Sequence, residues 1–116
     1  METFGETVGV FGLYELSEEG MILYSRPCAQ QGLDQAAGEI VGRDFFHDIV
    51  GCDNMAALRR HFRQFVVGGR PVDAFLFDYM FERRVVRTKI SMTRAFETDD
   101  DHRNGIVIMD IRQTAQ

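Results

Sequence analysis

The chain has 116 residues, of which 45% are hydrophobic and 27% are charged, as in ordinary globular proteins. No apolar run approaches the roughly 18 residues that a membrane span needs, and the start Met1–Phe4 lacks the basic and apolar segments of a signal peptide. The formal net charge of −5 argues against general nucleic-acid binding. We therefore predict a single cytoplasmic domain over residues 1–116, with neither a membrane nor a nucleic acid as partner.

Two short β-rich runs lie in the first part of the chain. They are Val8 to Leu16 and Met21 to Ser25, and the turn sequence Ser17–Gly20 joins them, so a hairpin is predicted. The segment Arg26 to Ile40 has no sustained period and predicts loops and short helical turns. Asp44 to Ile49 predicts one more short turn.

A long amphipathic helix is predicted next. Its apolar positions recur at three- and four-residue spacing and are Met55, Leu58, Phe62, Phe65 and Val66. Asp53 or Asn54 can cap its N-terminus, and Gly68 with Gly69 ends it. Its basic positions predict a solvated face and are Arg59, Arg60 and Arg63.

Three strands are predicted after the helix. Pro71 to Glu82 alternates, with one aromatic face that comprises Phe75, Phe77, Tyr79 and Phe81. The next strand also alternates, and the side chains that share one of its faces are Val86, Thr88, Ile90 and Met92. Asp99 to Gly105 predicts a polar loop, and Ile106 to Ile111 predicts the last strand. This order of elements predicts an α+β fold with a five-stranded antiparallel sheet and helices packed on one face.

Cys52 is the first candidate for chemistry, because it precedes the predicted helix N-terminus. Unpaired amide groups and the helix dipole favour a thiolate there, so we expect a thiol more nucleophilic than a free one, whose pKa is about 8.5. The alternative, which we favour on chemistry alone, is a small buried apolar residue. Cys52 and Cys28 make neither a disulfide framework nor a zinc site, and a reducing compartment leaves both as thiols.

The order of elements and one motif resemble PAS domains of the photoactive-yellow-protein type. The motif Gly-x-x-Phe-Phe-x-Asp-x-x-x-Cys comprises Gly42, Phe45, Phe46, Asp48 and Cys52. The aromatic strand and the segment Thr88 to Ala95 continue the similarity, which runs without a gap over about half of the chain.

The resemblance implies a PAS fold and a covalent chromophore. In that family the cysteine carries 4-hydroxycinnamic acid (p-coumaric acid) as a thioester, and the phenolate accepts short hydrogen bonds from a tyrosine and a protonated glutamate. Cys52 falls at the attachment position, and Tyr24 falls at the position of the tyrosine. The expected pocket and core residues are Phe45, Phe46, Phe62, Phe75, Phe77 and Tyr79.

The pocket departs from the family at the glutamate. Around the position of that glutamate this chain has Cys28-Ala29-Gln30, so Gln30 is the candidate for the second hydrogen-bond donor to the ligand. Unlike a protonated carboxyl group, an amide cannot deliver a proton. Arg83 stands where the family has a flexible methionine. Burying an uncompensated phenolate costs several kcal/mol, roughly, so we expect a neutral phenol that absorbs toward the blue or near ultraviolet.

Three functions are considered from the sequence. The first is a blue-light photoreceptor that signals to a downstream protein, through the outer face of the sheet or as a homodimer. The second is a non-photoactive PAS module that binds an aromatic ligand, haem or a partner protein. The third is an enzyme with Cys52 as nucleophile and His47 or His61 as base, but neither spacing is a recognised signature. The same two histidines are the candidate haem ligands. We favour a sensor without enzymatic activity.

Overall fold

A five-stranded antiparallel sheet with the strand order β2-β1-β5-β4-β3 organises the structure. This computed structural model describes residues 11–27, 40–49, 51–81, 83–99 and 102–114. The elements in chain order are β1 (Gly12–Ser17), β2 (Ile22–Pro27), a π-helical turn (Phe45–Ile49), α1 (Met55–Gly68), β3 (Val72–Phe81), β4 (Arg84–Asp99) and β5 (His102–Gln113). The predicted fold class is confirmed.

The core lies between one face of the sheet and α1. The predicted apolar side of the helix packs into this core, since Leu58, Phe62 and Phe65 are all buried. The alternation predicted for the third and fourth strands is also confirmed, since the buried side chains there are Tyr79, Thr88, Ile90 and Met92. The arginines of the predicted solvated face, Arg59, Arg60 and Arg63, are exposed. No helix in the described part of the chain is long and apolar enough to cross a membrane.

The predicted N-terminal hairpin is present, but a bulge changes its faces. Tyr14 pairs with Ser25 and Glu15 pairs with Tyr24, whereas Leu16 pairs with Ile22. Because the register shifts there, two consecutive residues of β2, Leu23 and Tyr24, are both exposed. The predicted start of the first strand at Val8, and all of residues 28–39, lie outside the described residues.

The predicted polar loop from Asp99 to Gly105 is wrong for most of its length. The strands β4 and β5 continue the ladder through it, and Asp99 pairs with His102. The guanidinium of Arg103 also lies 3.9 Å from the ring centroid of Phe96. Cross-strand pairing and this cation–π contact therefore extend a hairpin whose composition alone is typical of a loop.

Candidate functional site

Cys52 lies in the short segment Gly51–Asn54, between the π-helical turn and α1, and only 9% of it is exposed. Burial raises the pKa of the Cys52 thiol, while the backbone amides of Asn54 and Cys52 itself act weakly in the opposite direction. The burial of Cys52 thus supports the interpretation as a small buried residue over that of a thiolate favoured by the helix N-terminus. Loss of hydration outweighs the amide groups, because a buried anion must give up water.

The residues after Cys52 are hydrogen-bonded to the edge of the sheet. The backbone amide of Asp53 donates to the carbonyl oxygen of Met80 at 2.7 Å. Nδ2 of Asn54 donates to the carbonyl oxygen of Asp78 at 2.8 Å, and Oδ1 of Asn54 accepts from the amide of Met80 at 3.2 Å. Asn54 does occupy the predicted N-cap position of α1, but its side chain makes no capping hydrogen bond there. The predicted side-chain cap is thus absent, because the side-chain amide of Asn54 forms its hydrogen bonds with the backbone of β3.

Two buried tyrosines accompany Cys52 on the core face. Tyr79 is 4% exposed and Tyr14 is 2% exposed. Burial is the main cause that raises the pKa of each phenol, with a smaller repulsion from Cys52 on Tyr79 and from Tyr79 on Tyr14. Cys52, Tyr79 and Tyr14 are therefore three polar side chains within one predominantly apolar core cluster.

Tyr14 was not identified from the sequence. The available signal was its position in β1, because Tyr14 lies two residues before the buried Leu16 and therefore shares its core-facing side of the strand. Its ring lies 4.8 Å from that of Phe45, centroid to centroid.

The predicted aromatic residues form one wall beside these groups. The ring centroid of Phe46 lies 5.1 Å from that of Phe45 and 4.9 Å from that of Phe62. The backbone fixes the π-helical turn, because Phe45 N donates to Gly20 O at 2.9 Å. Phe45, Phe46, Phe62 and Tyr79 are buried as expected, and the side chains of Phe75 and Phe77 are half-buried at the margin of the core.

The structure does not bring Tyr24 to Cys52. Tyr24 is 44% exposed and pairs with Glu15, on the face of the sheet opposite the core. The bulge in β2 explains this placement, because simple alternation from the buried Ile22 would turn Tyr24 inward. Gln30 and Cys28 lie outside the described residues.

Each of the two candidate histidines interacts with an aspartate rather than with Cys52. Nδ1 of His47 lies 3.0 Å from Oδ1 of Asp48, which raises the pKa of this exposed imidazole. Nε2 of His61 lies 3.0 Å from Oδ2 of Asp73. In the part of the chain that the structure describes, no hydrogen bond joins either imidazole to Cys52, and no group of three or more metal-ligating side chains is present.

Comparison with known proteins identifies relatives in sequence and in fold. The chain is 26% identical to photoactive yellow protein from Rhodothalassium salexigens over 89 residues, which is 77% of this chain and 71% of that protein. No protein-family model matches the chain.

Two solved structures share the fold. The PAS domain of BvgS from Bordetella pertussis aligns with a TM-score of 0.60 and 16% identity, over 96% of this chain and 82% of that one. The photoactive yellow protein domain of the sensor histidine kinase Ppr from Rhodospirillum centenum aligns with a TM-score of 0.58 and 23% identity, over 93% of this chain and 98% of that one.

Proposed function

We propose that this chain, which has the fold of PAS domains and is similar in sequence to photoactive yellow protein, is a sensory domain that carries a 4-hydroxycinnamoyl group as a thioester on Cys52. The observation that carries the proposal is that Cys52 is buried in the same core cluster as Tyr79 and the aromatic side chains of Phe45, Phe46 and Phe62. A flat aromatic acyl group suits such surroundings, since rings stack and pack against one another.

The polar end of the group needs hydrogen bonds that the apolar wall cannot provide. Tyr79 and Tyr14 are the phenols on the core face, so they replace Tyr24 as our candidates for this role. Neither supplies a carboxyl proton, and their own phenols stay protonated because burial raises the pKa of each. The proposal therefore keeps the expectation of a neutral ligand phenol that absorbs toward the blue or near ultraviolet.

The attachment chemistry follows from the thiol. The sulfur of Cys52 loses its proton to solvent and attacks the acyl carbon of an activated donor, whose leaving group departs as the new C–S bond forms. No electron is gained or lost overall. Because burial raises the pKa of the Cys52 thiol, the thiolate is scarce at neutral pH and acylation proceeds faster in alkaline solution.

The test is acylation of the purified protein with an activated 4-hydroxycinnamoyl thioester donor. Intact mass and absorption are recorded, with Cys52→Ala and Cys28→Ala as matched controls. We expect a mass gain and a new absorption band that Cys52→Ala abolishes and Cys28→Ala retains. A gain that Cys28→Ala abolishes, or no gain with any protein, would count against attachment at Cys52.

A second function is favoured by the outward position of Tyr24. A PAS module without photochemistry would bind a small aromatic ligand in the same core and would not need that tyrosine. An acylated protein whose band does not bleach in light would support this second reading.

In either case we propose that the domain acts in the cytoplasm as a non-enzymatic sensor and signals by association with a partner or a second copy. The outer face of the sheet supports this, because Leu76, Met80 and Val85 are exposed there. Sedimentation of Leu76→Lys beside the unmodified chain tests whether that face associates.

A further inference from the structure

We propose that Asn54 is a latch that holds the Cys52 loop, Gly51–Asn54, on the free edge of β3 and so controls access to the Cys52 thiol. This inference deepens the proposed function and rests on it, since it takes Cys52 as the residue that reacts. The strand β3 is the last in the sheet, so among the described residues it has no strand on its far side. An asparagine side chain has an amino group that donates and a carbonyl oxygen that accepts, and Asn54 uses both groups on that edge.

The choice of partners by Asn54 is informative. An N-cap asparagine normally accepts a hydrogen bond from the first turn of its helix, which stabilises the helix end. Asn54 makes no such bond, although it occupies the cap position of α1. Its amide is instead committed to the backbone of Asp78 and Met80, 24 and 26 residues away in sequence.

These contacts fix the position of Cys52 relative to Tyr79. Asp78 and Met80 are the two neighbours of Tyr79 in β3, and Asp53 binds Met80 as well. Three hydrogen bonds thus join the residues directly after Cys52 to the backbone on both sides of Tyr79. At the other end of the loop, Gly51 has φ +72, a conformation that glycine adopts readily and that provides a pivot without a side chain.

Access to the thiol requires this loop to move. Only 9% of Cys52 is exposed, so a reagent as large as an aromatic acyl donor reaches the sulfur only when the loop opens. Loss of the two hydrogen bonds made by the Asn54 side chain raises the population of the open loop about tenfold or more.

The test is the rate at which iodoacetamide alkylates Cys52 in the protein without any ligand, followed by mass spectrometry of the Cys52 peptide. We expect Asn54→Ala to react about tenfold faster than the unmodified chain. Asn54→Asp should react at an intermediate rate, because a carboxylate accepts from the amide of Met80 but cannot donate to Asp78. The matched control is Asn104→Ala, at an exposed asparagine of β5, which should leave the rate unchanged.

A second measurement separates a latch from general loss of stability. Alkylation is repeated in low concentrations of urea, where reaction through local opening has a shallow urea dependence and reaction through global unfolding has a steep one. A fast, shallow reaction of Asn54→Ala supports the latch. An unchanged rate, or a rate with the steep slope of global unfolding, overturns it.

The outcome does not depend on the chromophore. If Asn54→Ala does not fold, Asn54→Asp decides the question by the same two criteria. Alkylation uses no hydroxycinnamoyl donor, so a failed acylation experiment overturns the proposed function and leaves the latch standing. Equal alkylation rates in the variants and the unmodified chain overturn the latch and leave the proposed function standing.

Discussion

His61 and Asp73 join α1 to β3, since Nε2 of the imidazole lies 3.0 Å from Oδ2 of the carboxylate. The imidazole also stacks on Phe75, with ring centroids 3.6 Å apart and an interplanar angle of 16°. Both the nitrogen and the face of the ring are therefore used to hold the helix on the sheet. This arrangement favours a structural role for His61 over the haem-ligand and general-base roles that its sequence position suggested.

We expect His61→Ala to lower the free energy of unfolding by about 1–2 kcal/mol, because it removes a hydrogen bond and a stacked ring. In a double-mutant cycle with Asp73→Ala, the coupling energy should be about 0.5–1.5 kcal/mol. Urea unfolding monitored by circular dichroism measures all four proteins. Strictly additive effects would show that the two side chains do not stabilise each other.

The buried phenol of Tyr14 predicts a loss of stability in alkaline solution. Burial raises the pKa of Tyr14 above its ordinary value of 10.0, so the native state favours the protonated phenol. Its stabilising contribution is complete below pH 10 and is lost as the pH rises toward the native pKa, because only the unfolded chain releases the proton there. Above pH 10, the free energy of unfolding of Tyr14→Phe should therefore fall less steeply than that of the unmodified chain, by up to about 1 kcal/mol per pH unit.

Urea unfolding recorded at several pH values, from about pH 9 to about pH 11, measures this dependence. Tyr24→Phe is the matched control, because that side chain is exposed on the other face of the sheet. If Tyr14→Phe and the unmodified chain lose stability in parallel, the phenol of Tyr14 does not control the alkaline transition.

Arg94 stabilises the C-terminal end of α1. Its guanidinium donates to the carbonyl oxygens of Val66, at 3.3 Å, and of Phe65, and its Nε donates to that of Arg70 at 3.1 Å. It also lies 4.8 Å from the ring centroid of Phe65. A cation is favourable there, because the last carbonyl groups of a helix lack partners within the helix.

Arg94→Ala should therefore lower the free energy of unfolding by about 2–3 kcal/mol. Arg87→Ala is the control, since its ion pair with Asp78 at 2.9 Å is exposed and should be worth less than about 1 kcal/mol. Hydrogen exchange of the last turn of α1 should accelerate in Arg94→Ala only. Equal losses of stability in the two variants would contradict the special role of the helix end.

Periodic features of the sequence predicted most of the fold. The spacing of Leu58, Phe62 and Phe65 defined the buried side of α1, and alternation defined the core face of β3 and β4. These patterns succeed because burial repeats with the period of the element. The position of Tyr24 depends on a single bulge that its own sequence does not mark, and one shift of register moves a side chain to the other face.

The site was less predictable for a related reason. The partners of Asn54 lie in a strand 24 or more residues away, and no local rule connects an N-cap position with a distant edge. The sequence left two interpretations of Cys52 open, because the helix N-terminus that favours a thiolate is visible in the sequence, whereas the burial that outweighs it depends on tertiary packing.

The acylated protein offers a direct comparison of two tyrosines. Because Tyr79 is buried in the same core cluster as Cys52 and Tyr24 points away from the core, Tyr79→Phe should shift the absorption maximum of the bound group and Tyr24→Phe should not. The two substitutions remove the same hydroxyl, so they differ only in position. Absorption spectra of both acylated variants, recorded beside the unmodified protein over a pH titration, measure the effect. A shift caused by Tyr24→Phe alone would mean that the ligand-bound chain turns Tyr24 inward and that the bulge of β2 rearranges on binding.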